Sequence, residues 1–579
     1  MKESGMSELG KGMDRRAFLK GAALVGGGAA MAGLVACTPA ATGDTGGGSS
    51  TGGAGQTAAA ESDRPWENPP PVIDDASDGG EYDIVVIGAG ISGNSAANSA
   101  SINGAKVLVI EQSGEFTVHG VDCGHIGSKW QKEQGIKIDP DEAARLLFRW
   151  SQQTINYNLL RTWTDRSGKV FDYLQGLAAE DGIEMVSALS PTAKYGWQEN
   201  PDVWRTYPDA VSFVRPGDGM MTPEGTMVNH RIINRLNENA IAHGVEFLYN
   251  THAERLVQDA AGRVTGVIVT AEDGSHVQYN ASKGIIMATG DIGGNQQMLK
   301  DWAPICLRSD VCLYNPPDGN LGEGLKMGIW AGAAFSKSPA APMVHQIDMS
   351  GYLTAIEMCW LAVNTHGKRY HGEMPIEPNV TNARMNQHGN ISWSIFDANY
   401  ATYVEKQNPT TYEAMLSPMN FETGESMTSQ EQIDALIDAG HIVKGDTLEE
   451  LAAALGIPAD AFKATVERYN GWYDAGFDKD FDIPQRFMTK VDTAPFYAQP
   501  IAATMLVCIF GLHVNDDSQV CAEDDTPIPG LFAVGNVQGD FFGLSYPVIC
   551  PGISHGRALT FGYLVGEALA KDTVITQTA

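Results

Sequence analysis

The stretch EYDIVVIGAGISGNSAANSASINGAKVLVIEQ, residues 81–112, is the strongest indication of the fold in this 579-residue chain. The apolar run Ile84–Ile87 is typical of a short buried strand, and a GxGxxG turn follows it at residues 88–93. A helical stretch and a second apolar run, Lys106–Ile110, come next, and Glu111 ends that run. Strand, turn, helix, second strand and terminal acid in this order predict a dinucleotide-binding unit, in which Glu111 accepts ribose hydroxyls.

The three glycines of this turn have different tasks. Gly88 permits the tight turn, Gly90 lets a pyrophosphate approach the backbone, and Gly93 lets the following helix pack against the sheet. The N-terminus of that helix then faces the phosphates, because its unpaired N–H groups attract an anion.

Two later stretches favour FAD over NAD. Lys283–Gly290 is a predicted strand that ends in Ala-Thr-Gly, the loop that returns to the dinucleotide in flavoproteins with two dinucleotide folds. Ile528–Asn536 is a further strand, whose end we expect beside the ribityl chain of the flavin. Together with residues 81–112, these stretches resemble the FAD-binding fold of the fumarate reductase and succinate dehydrogenase flavoprotein family. Smaller matches to that family are Leu321–Gly324, Gly367–Tyr370 with Glu373, and Thr560–Gly562.

The resemblance covers residues 82–571 and implies an α/β fold. It implies a two-dinucleotide-binding, Rossmann-like FAD domain that is interrupted by an α+β capping domain. It also implies that FAD is held by residues of the Gly-rich turn, the end of the second strand and the later loops. These residues are Gly88, Gly90, Ser92, Gly93, Glu111, Gln112, His119, Gly120, Ala253, Thr289, Gly290, Glu323, Gly535, Asn536, Ile553 and Ser554.

His119 raises the question of how FAD is attached. It falls near the histidine that carries covalent FAD in succinate dehydrogenases, but the Gly-Gly that follows there is His125-Ile126 here. This mismatch favours non-covalent FAD, with His119 in a flavin-contacting loop.

The first 37 residues predict an export signal. Asp14–Lys20, DRRAFLK, places two adjacent arginines before a weakly apolar run that is too short for a membrane span. The run ends in Leu34–Cys37, which resembles a lipobox, so we expect a twin-arginine signal and an extracytoplasmic protein anchored to the cell membrane by a lipid on Cys37. Ordinary cleavage nearby is the alternative. The twin-arginine route carries folded proteins, which suits a cargo that must bind its flavin before export.

The composition divides the chain into five predicted parts. They are the signal with its lipobox over residues 1–37, a flexible linker over 38–80, the first part of the FAD-binding domain over 81–302, the capping domain over 303–445, and the second part of the FAD-binding domain with C-terminal helices over 446–579.

Charge and cysteine usage exclude several functions. A formal net charge of −31 argues against nucleic acid, because nothing supplies the basic surface that phosphate binding needs. It also disfavours adsorption to an anionic membrane, so the lipid on Cys37 is the membrane contact we expect. The eight cysteines form no CxxC or CxxCH motif, so neither a metal site nor an attached c-type haem is predicted.

The predicted substrate site departs from that of the fumarate reductases. Their proton-donating arginine is missing after Glu373, where Met374–Glu377 follows. Leu506–Gly511 replaces their histidine-containing stretch, and Gly543–Pro547 replaces part of a late arginine-containing one. Since a dicarboxylate in a dry pocket needs bidentate cationic partners, we reject fumarate and succinate as the main substrates.

Tyr546-Pro547, with Pro551–Ser554 after it, resembles instead a stretch of the 3-ketosteroid dehydrogenases, where a tyrosine and a backbone N–H polarise a ketone oxygen. A phenol is neutral at pH 7 and can donate to a carbonyl or a developing enolate. The resemblance therefore implies an enone, a cinnamate-like acid or another unsaturated carbonyl compound as substrate. The alternative is that Tyr546 packs against the flavin with its hydroxyl on the backbone.

In the implied reaction, hydride passes from flavin N5 to the β carbon of an activated C=C, and a protein acid protonates the α carbon. The candidates for that acid are Tyr546, Glu373 and His345. His345 stands where the family often has a substrate histidine, whereas Glu373 could equally be a structural partner of Arg369.

The sequence carries no haem motif, so we expect a separate electron donor, a cytochrome or quinol-linked protein that serves anaerobic respiration. Two alternatives stay open. The enzyme could run in reverse, as a dehydrogenase that forms C=C, because potential and partner set the direction. The chain could also be a flavin-loaded lipoprotein that relays electrons or binds a ligand without substrate chemistry.

Overall fold

The structure is a computed structural model and describes residues 64–117, 120–187, 207–218, 222–312, 319–345, 359–373, 379–407, 430–500, 503–547 and 549–577. The predicted export signal, Cys37 and His119 lie outside the described residues.

The strands, numbered in chain order, are β1 (Ser77–Ile87), β2 (Val107–Ile110), β3 (Cys123–Gly124), β4 (Glu184–Ser187), β5 (Ala210–Val214), β6 (Glu246–Leu248), β7 (His252–Gln258), β8 (Val264–Thr270), β9 (His276–Met287), β10 (Val311–Cys312), β11 (Ala341–His345), β12 (Leu361–Asn364), β13 (Ser392–Asp397), β14 (Val443–Gly445), β15 (Phe477–Asp478), β16 (Ile483–Pro484), β17 (Phe496–Pro500), β18 (Thr504–Ile509), β19 (Gln519–Cys521) and β20 (Pro527–Ala533).

The helices are α1 (Ile91–Ile102), α2 (Lys129–Glu133), α3 (Pro140–Trp150), α4 (Tyr157–Ala179), α5 (His230–Ala242), α6 (Gln296–Trp302), α7 (Glu323–Trp330), α8 (Asn379–Met385), α9 (Tyr400–Gln407), α10 (Gln430–Asp438), α11 (Leu448–Leu455), α12 (Ala459–Asp474) and α13 (Ile553–Ala570). Short 3-10 turns lie at Pro65–Glu67, Pro304–Arg308, His388–Asn390, Gln485–Phe487, Gly535–Val537 and Ile575–Gln577. No helix within the described ranges has the length and apolar character that crossing a membrane requires.

The central sheet brings the predicted cofactor stretches together. Its strand order is β19-β20-β9-β1-β2-β6, and the hairpin β7–β8 joins it where β8 pairs with β9. The pairing is parallel from β20 to β6, and Ile87 lies level with both Ile110 and Met287, while Ala533 lies level with Met287. The carboxyl ends of parallel strands meet at one edge of a sheet. The loops after β1, β2, β9 and β20 therefore share that edge.

The first and last helices pack closely because both are rich in small residues. A Cβ on Gly562 would lie 2.4 Å from the Ser92 carbonyl oxygen, and one on Gly566 would lie 2.3 Å from that of Ala96. The Ser95 hydroxyl donates to the carbonyl oxygen of Leu559 at 2.7 Å. This contact places the N-terminus of α13 beside the Gly-rich turn.

Residues 359–498 build two apolar clusters apart from the main core. The antiparallel sheet β12-β13-β17-β14 forms their centre, and Phe462 and Val466 of α12 pack in one of them. A three-stranded sheet, β10-β18-β11, joins Thr504–Ile509 to the segment before residue 345. The predicted division of the chain at 302/303 and 445/446 stays a prediction.

Residues 64–80 differ from the flexible linker expected there. Trp66 is buried, and its ring lies 5.0 Å from that of Trp302 and 5.7 Å from that of Phe335. The indole N–H of Trp330 donates to the Trp66 carbonyl oxygen at 3.2 Å. The large apolar surface of one tryptophan holds this polar segment on the core.

Candidate functional site

Glu111 and the Gly-rich turn form one end of the site. The Glu111 carboxylate accepts from the backbone N–H of Ala89 at 2.7 Å and from that of Ser113 at 2.9 Å. A carboxylate has about four acceptor positions, so two stay available for ribose hydroxyls. Glu111 is buried, and Gln112 after it is exposed. Ala253 is buried in β7, near the Thr251 N–H, which donates to the Glu111 carbonyl oxygen.

The glycines of the turn leave space at one position. A Cβ on Gly88, whose φ is +102°, would lie 2.5 Å from the Ala288 carbonyl oxygen, and a Cβ on Gly93 would lie 1.9 Å from that of Gly88. A Cβ on Gly90 would meet the Thr117 hydroxyl at 3.9 Å, in ordinary contact distance. The first two positions are filled by the chain itself, whereas the space beside Gly90 suits a pyrophosphate.

The ends of β9 and β20 enclose the next part of the site. The Thr289 hydroxyl is buried and has no hydrogen-bond partner among the described residues. A Cβ on Gly324, in the first turn of α7 after Glu323, would lie 1.9 Å from this hydroxyl. A Cβ on Gly535, whose φ is +69°, would lie 2.4 Å from the Ser92 hydroxyl oxygen. A buried hydroxyl without a partner between these glycines fits a polar ligand such as the ribityl chain of FAD.

Gly290 and Gly120 are held against neighbours that leave no room for a side chain. A Cβ on Gly290, whose φ is +79°, would lie 2.0 Å from Oδ1 of Asn320, and one on Gly120 would lie 2.1 Å from Cε1 of His555. His555 belongs to the first turn of α13, so the loop at Gly120 reaches the same helix end as Ile553 and Ser554.

Asn536 is the centre of a polar network. Its Nδ2 donates to the carboxylate of Asp291 at 3.1 Å, and its Oδ1 accepts from the Ser554 hydroxyl at 3.2 Å and from Nη2 of Arg557 at 2.9 Å. The backbone N–H of Ser554 donates to the Tyr546 hydroxyl at 3.0 Å. The network therefore connects two predicted cofactor residues, Asn536 and Ser554, to the tyrosine.

Tyr546 is buried, and its ring lies 5.5 Å from that of Phe542. Burial raises the pKa of Tyr546, so its phenol stays protonated at neutral pH. The hydroxyl uses an oxygen lone pair to accept from Ser554, which leaves its proton available for donation. The backbone hydrogen bond of the structural alternative is thus compatible with a role as hydrogen-bond donor.

A small cavity of ≈ 10 Å³, enough for about one water molecule, lies beside Ser545 and Pro547, the chain neighbours of Tyr546. Its lining is mainly apolar and aromatic and includes Trp150, Ile155, Phe541, Phe542 and Pro547. The cavity is too small for a substrate, but its lining shows that the segment around Tyr546 packs among apolar and aromatic side chains.

Glu373 lies in a separate ion-pair cluster. Arg369 donates to both of its carboxylate oxygens, at 2.8 and 2.5 Å, and also pairs with Asp478 at 2.7 Å. The backbone N–H of Ala362 donates to the same carboxylate at 3.1 Å. All three charged side chains are buried, so this pairing fits the structural role that the sequence left open for Glu373, while its catalytic role stays a prediction. His345 ends β11 level with Thr504, and its side chain lies outside the described residues.

Arg557 belongs to this network, although no motif in the sequence pointed to it. It is fully buried, donates to Asn536 and to the Gln538 carbonyl oxygen at 3.3 Å, and its guanidinium lies 4.8 Å from the ring centroid of Phe542. Burial lowers its pKa to about 9, so it stays charged at neutral pH. The spacing i, i+3 from Ser554 in the first turns of α13 was the signal that could have identified it.

Residues 83–548 match the family model described as FAD binding domain. A vinyl phenol reductase of Lactiplantibacillus plantarum is 26% identical over 513 residues, which cover 85% of this chain and 97% of that protein. A 3-oxosteroid 1-dehydrogenase of Mycolicibacterium smegmatis is 26% identical over 583 residues, which cover 85% of this chain and 98% of that protein.

Solved structures agree in fold. A 3-ketosteroid-Δ4-(5α)-dehydrogenase from Rhodococcus jostii superposes with a TM-score of 0.66 at 21% identity, covering 87% of this chain and 99% of the other. A flavocytochrome c3 fumarate reductase in an open conformation superposes with a TM-score of 0.59 at 21% identity, covering 85% and 79%. The predicted resemblance, the α/β fold and FAD as cofactor are confirmed. The relatives are FAD-dependent oxidoreductases acting on C=C bonds, which confirms the predicted enzyme class.

Proposed function

This chain belongs to the FAD binding domain family, and we propose that it reduces a C=C bond that is conjugated to a carbonyl group, as in an enone or a cinnamate-like acid. The observation that carries this proposal is the Tyr546 hydroxyl, which is buried and neutral and held on the Ser554 N–H. A neutral donor suits a carbonyl oxygen, whereas the cationic groups that clamp a dicarboxylate in fumarate reductases are replaced in this sequence.

The hydride and the proton that are added to the C=C bond come from different groups. Bound FAD supplies the hydride that the β carbon receives. The Tyr546 hydroxyl donates a hydrogen bond to the substrate carbonyl, which withdraws electrons from the C=C bond, and its proton goes to the α carbon. The Ser554 N–H stabilises the tyrosine oxygen while that proton leaves, and a proton from water restores the phenol.

An aromatic neighbour of Tyr546 favours a ring-bearing substrate in this proposal. Phe542, whose ring lies 5.5 Å from that of Tyr546, would contact a ring attached to the C=C bond. The vinyl phenol reductase and the 3-oxosteroid 1-dehydrogenase, both of which act on ring-bearing compounds by their names, support this substrate class.

We also propose that the protein works outside the cytoplasm, exported by the twin-arginine route and anchored by a lipid on Cys37, with non-covalent FAD. Electrons would come from a cytochrome or quinol-linked donor, as a terminal step of anaerobic respiration. The support is the sequence DRRAFLK and the residues before Cys37. Globomycin, which blocks lipoprotein signal cleavage, should cause an unprocessed form to accumulate, and Cys37→Ser should abolish lipid labelling.

The test of the reaction is the anaerobic reoxidation of the reduced flavin by one candidate acceptor at a time. The acceptors are a steroid enone, cinnamate, urocanate and fumarate, and the variants are Tyr546→Phe and, as a matched control on α13, Tyr563→Phe. We expect an enone or cinnamate to reoxidise wild type and Tyr563→Phe alike, and Tyr546→Phe to be slower by about 10²–10⁴-fold with flavin still bound. Fast reoxidation by fumarate alone would contradict the proposal.

The reverse reaction is a second candidate, because the tyrosine stretch resembles that of the ketosteroid dehydrogenases and one relative is a 3-oxosteroid 1-dehydrogenase. It would be favoured if the oxidised enzyme were reduced by a saturated 3-ketosteroid faster than the reduced enzyme is oxidised by the matching enone.

A further inference from the structure

Two buried arginines of this chain differ in what offsets their charge. Arg369 pairs with the carboxylates of Glu373 and Asp478. Arg557 is buried just as deeply, yet none of the ion pairs within the described residues includes it. Its hydrogen bonds go to two neutral oxygens, those of the Asn536 side chain and the Gln538 backbone. Its Nε is buried without a hydrogen-bond partner in the same set of residues.

A buried charge of this kind is costly unless something offsets it. Removing a guanidinium from water costs several kcal/mol even after the surroundings relax. Cation–π attraction to Phe541 and Phe542, whose ring centroids lie 5.3 and 4.8 Å from the guanidinium carbon, offsets part of this desolvation cost. The Asp291 carboxylate, which accepts from the other end of the Asn536 side chain, offsets a further part and raises the pKa of Arg557, but it forms no direct ion pair with the guanidinium among the described residues. Asp209, a fully buried acid near Ile553, does not help, because burial raises its pKa well above its usual range and it keeps its proton.

The position of Arg557 indicates where its counter-charge belongs. The guanidinium shares the Asn536 side-chain oxygen with the Ser554 hydroxyl, and Ser554 holds Tyr546. Asn536, after the end of β20, and Ser554, in the first turn of α13, are both predicted cofactor residues. The charge therefore lies one residue away from the predicted flavin site and is shielded from water.

We propose that Arg557 supplies the positive charge that stabilises the negative charge taken up by the flavin ring on reduction. Two electrons and one proton convert neutral oxidised flavin to a reduced ring that carries one negative charge. A fixed cation inside a dry pocket favours the reduced form without any reorganisation at the moment of electron transfer. The consequence is a higher reduction potential, which suits an enzyme that collects electrons before passing hydride to an alkene.

This inference rests on FAD binding and does not depend on the reaction at Tyr546, so its test needs no substrate. Sulfite adds to flavin N5 through a new N–S bond and leaves a negative charge on the ring, so its dissociation constant reports the local positive charge. The proteins to titrate are flavin-loaded wild type, Arg557→Gln and Arg557→Lys. Arg384→Gln serves as the control, since Arg384 is also fully buried but donates from Nε to the Ser392 hydroxyl and not to Asn536.

We expect Arg557→Gln to weaken sulfite binding by about tenfold or more. Arg557→Lys, which keeps a charge but not the planar fork, should stay close to wild type, and Arg384→Gln should not change the constant. The midpoint potential of the flavin should fall in Arg557→Gln and be restored by lysine. An unchanged constant and potential in flavin-loaded Arg557→Gln would overturn the proposal.

Loss of flavin gives an equally clear answer. If Arg557→Gln does not retain FAD while Arg557→Lys retains it and binds sulfite as wild type does, the charge is the essential property. If neither variant retains FAD, Arg557 acts through the geometry of its hydrogen bonds, and the proposal is wrong. It is also wrong if Arg557→Gln raises KM for cinnamate but not for a neutral enone, with the sulfite constant unchanged, because the charge then faces the substrate.

Discussion

The hydroxyl of Tyr546 lies 3.0 Å from the backbone nitrogen of Ser554 and accepts its N–H. The first turn of α13 thereby holds the tyrosine, and the Ser554 hydroxyl connects it to Asn536 at the end of β20. Two loops separated in sequence thus meet through one serine, which connects the proposed phenol donor to a predicted cofactor loop.

Gly90 and Gly93 should affect flavin binding and folding differently. Gly93→Ala brings a methyl group to 1.9 Å from the Gly88 carbonyl oxygen, so α1 must move and both folding and FAD binding should be lost. Gly90→Ala should leave the fold of the apoprotein intact but reduce FAD affinity, because the methyl group occupies the space of the pyrophosphate. Flavin content after purification and the melting temperature of the apoprotein measure the two effects.

Gly176→Ala, a position in α4 with no atom within 4 Å of the added Cβ, is the control. It should stabilise the protein by up to about 1 kcal/mol and leave FAD binding unchanged. Equal FAD affinity in Gly90→Ala and wild type would contradict the proposed pyrophosphate position.

Glu373→Gln should destabilise the protein. It removes one of the two carboxylates that offset the buried charge of Arg369, and breaking a buried pair of this kind costs about 3–5 kcal/mol. Glu449→Gln is the matched control, because Glu449 pairs with Lys463 at the surface, where solvent screens the pair and its loss should change stability little. Urea unfolding of both variants gives the comparison. A catalytic Glu373 would instead show normal stability with lost turnover.

His125 should make the fold sensitive to acid. It is fully buried and its ring is stacked on Phe171 with centroids 4.2 Å apart, and burial lowers its pKa to about 3. In the unfolded chain a histidine has a pKa of about 6.5. As the pH falls below that value the unfolded state gains a proton that the folded state does not accept, so the free energy of unfolding decreases down to about pH 3.

Urea unfolding at pH 6.5 and pH 5 should therefore show this contribution. Between pH 6.5 and pH 5 the histidine accounts for about 2 kcal/mol of the decrease in the free energy of unfolding. The glutamine of His125→Gln can still bond to the Ser128 hydroxyl, as Nε2 of the histidine does. The free energy of unfolding of this variant should therefore decrease between the two pH values by about 2 kcal/mol less than that of wild type. Parallel pH profiles of the two proteins would show that the histidine does not titrate in this range.

Leu544 occupies a strained turn beside the small cavity. Its φ is +65°, and the Ser545 N–H donates to the Gly543 carbonyl oxygen at 2.7 Å across it. A leucine in the left-handed region costs about 1–2 kcal/mol, of which glycine would return the larger part. Leu544→Gly should raise the melting temperature, whereas Leu544→Ala keeps the unfavourable φ and should not. An increase of the same size in both variants would place the cost in the exposed side chain and not in the backbone.

The cofactor and the fold class were predictable from the sequence, because the signals for both are local. Gly88, Gly90, Gly93 and Glu111 form their turn and strand end within 24 residues, and the parallel sheet follows from apolar runs with this spacing. The tyrosine stretch could be read in the same way, since Tyr546 and Ser554 are only eight residues apart.

The partners of the buried charged side chains were visible only in the tertiary structure. Arg369 meets Asp478 across more than one hundred residues of chain, and Arg557 meets Asn536 but no described carboxylate. Motifs and periodicity predict which face of an element is buried, but they do not reveal whether a buried charge finds a partner there. That depends on packing between distant segments, which is why the ion pair of Glu373 and the lack of a direct ion pair at Arg557 among the described residues emerged only from the folded chain.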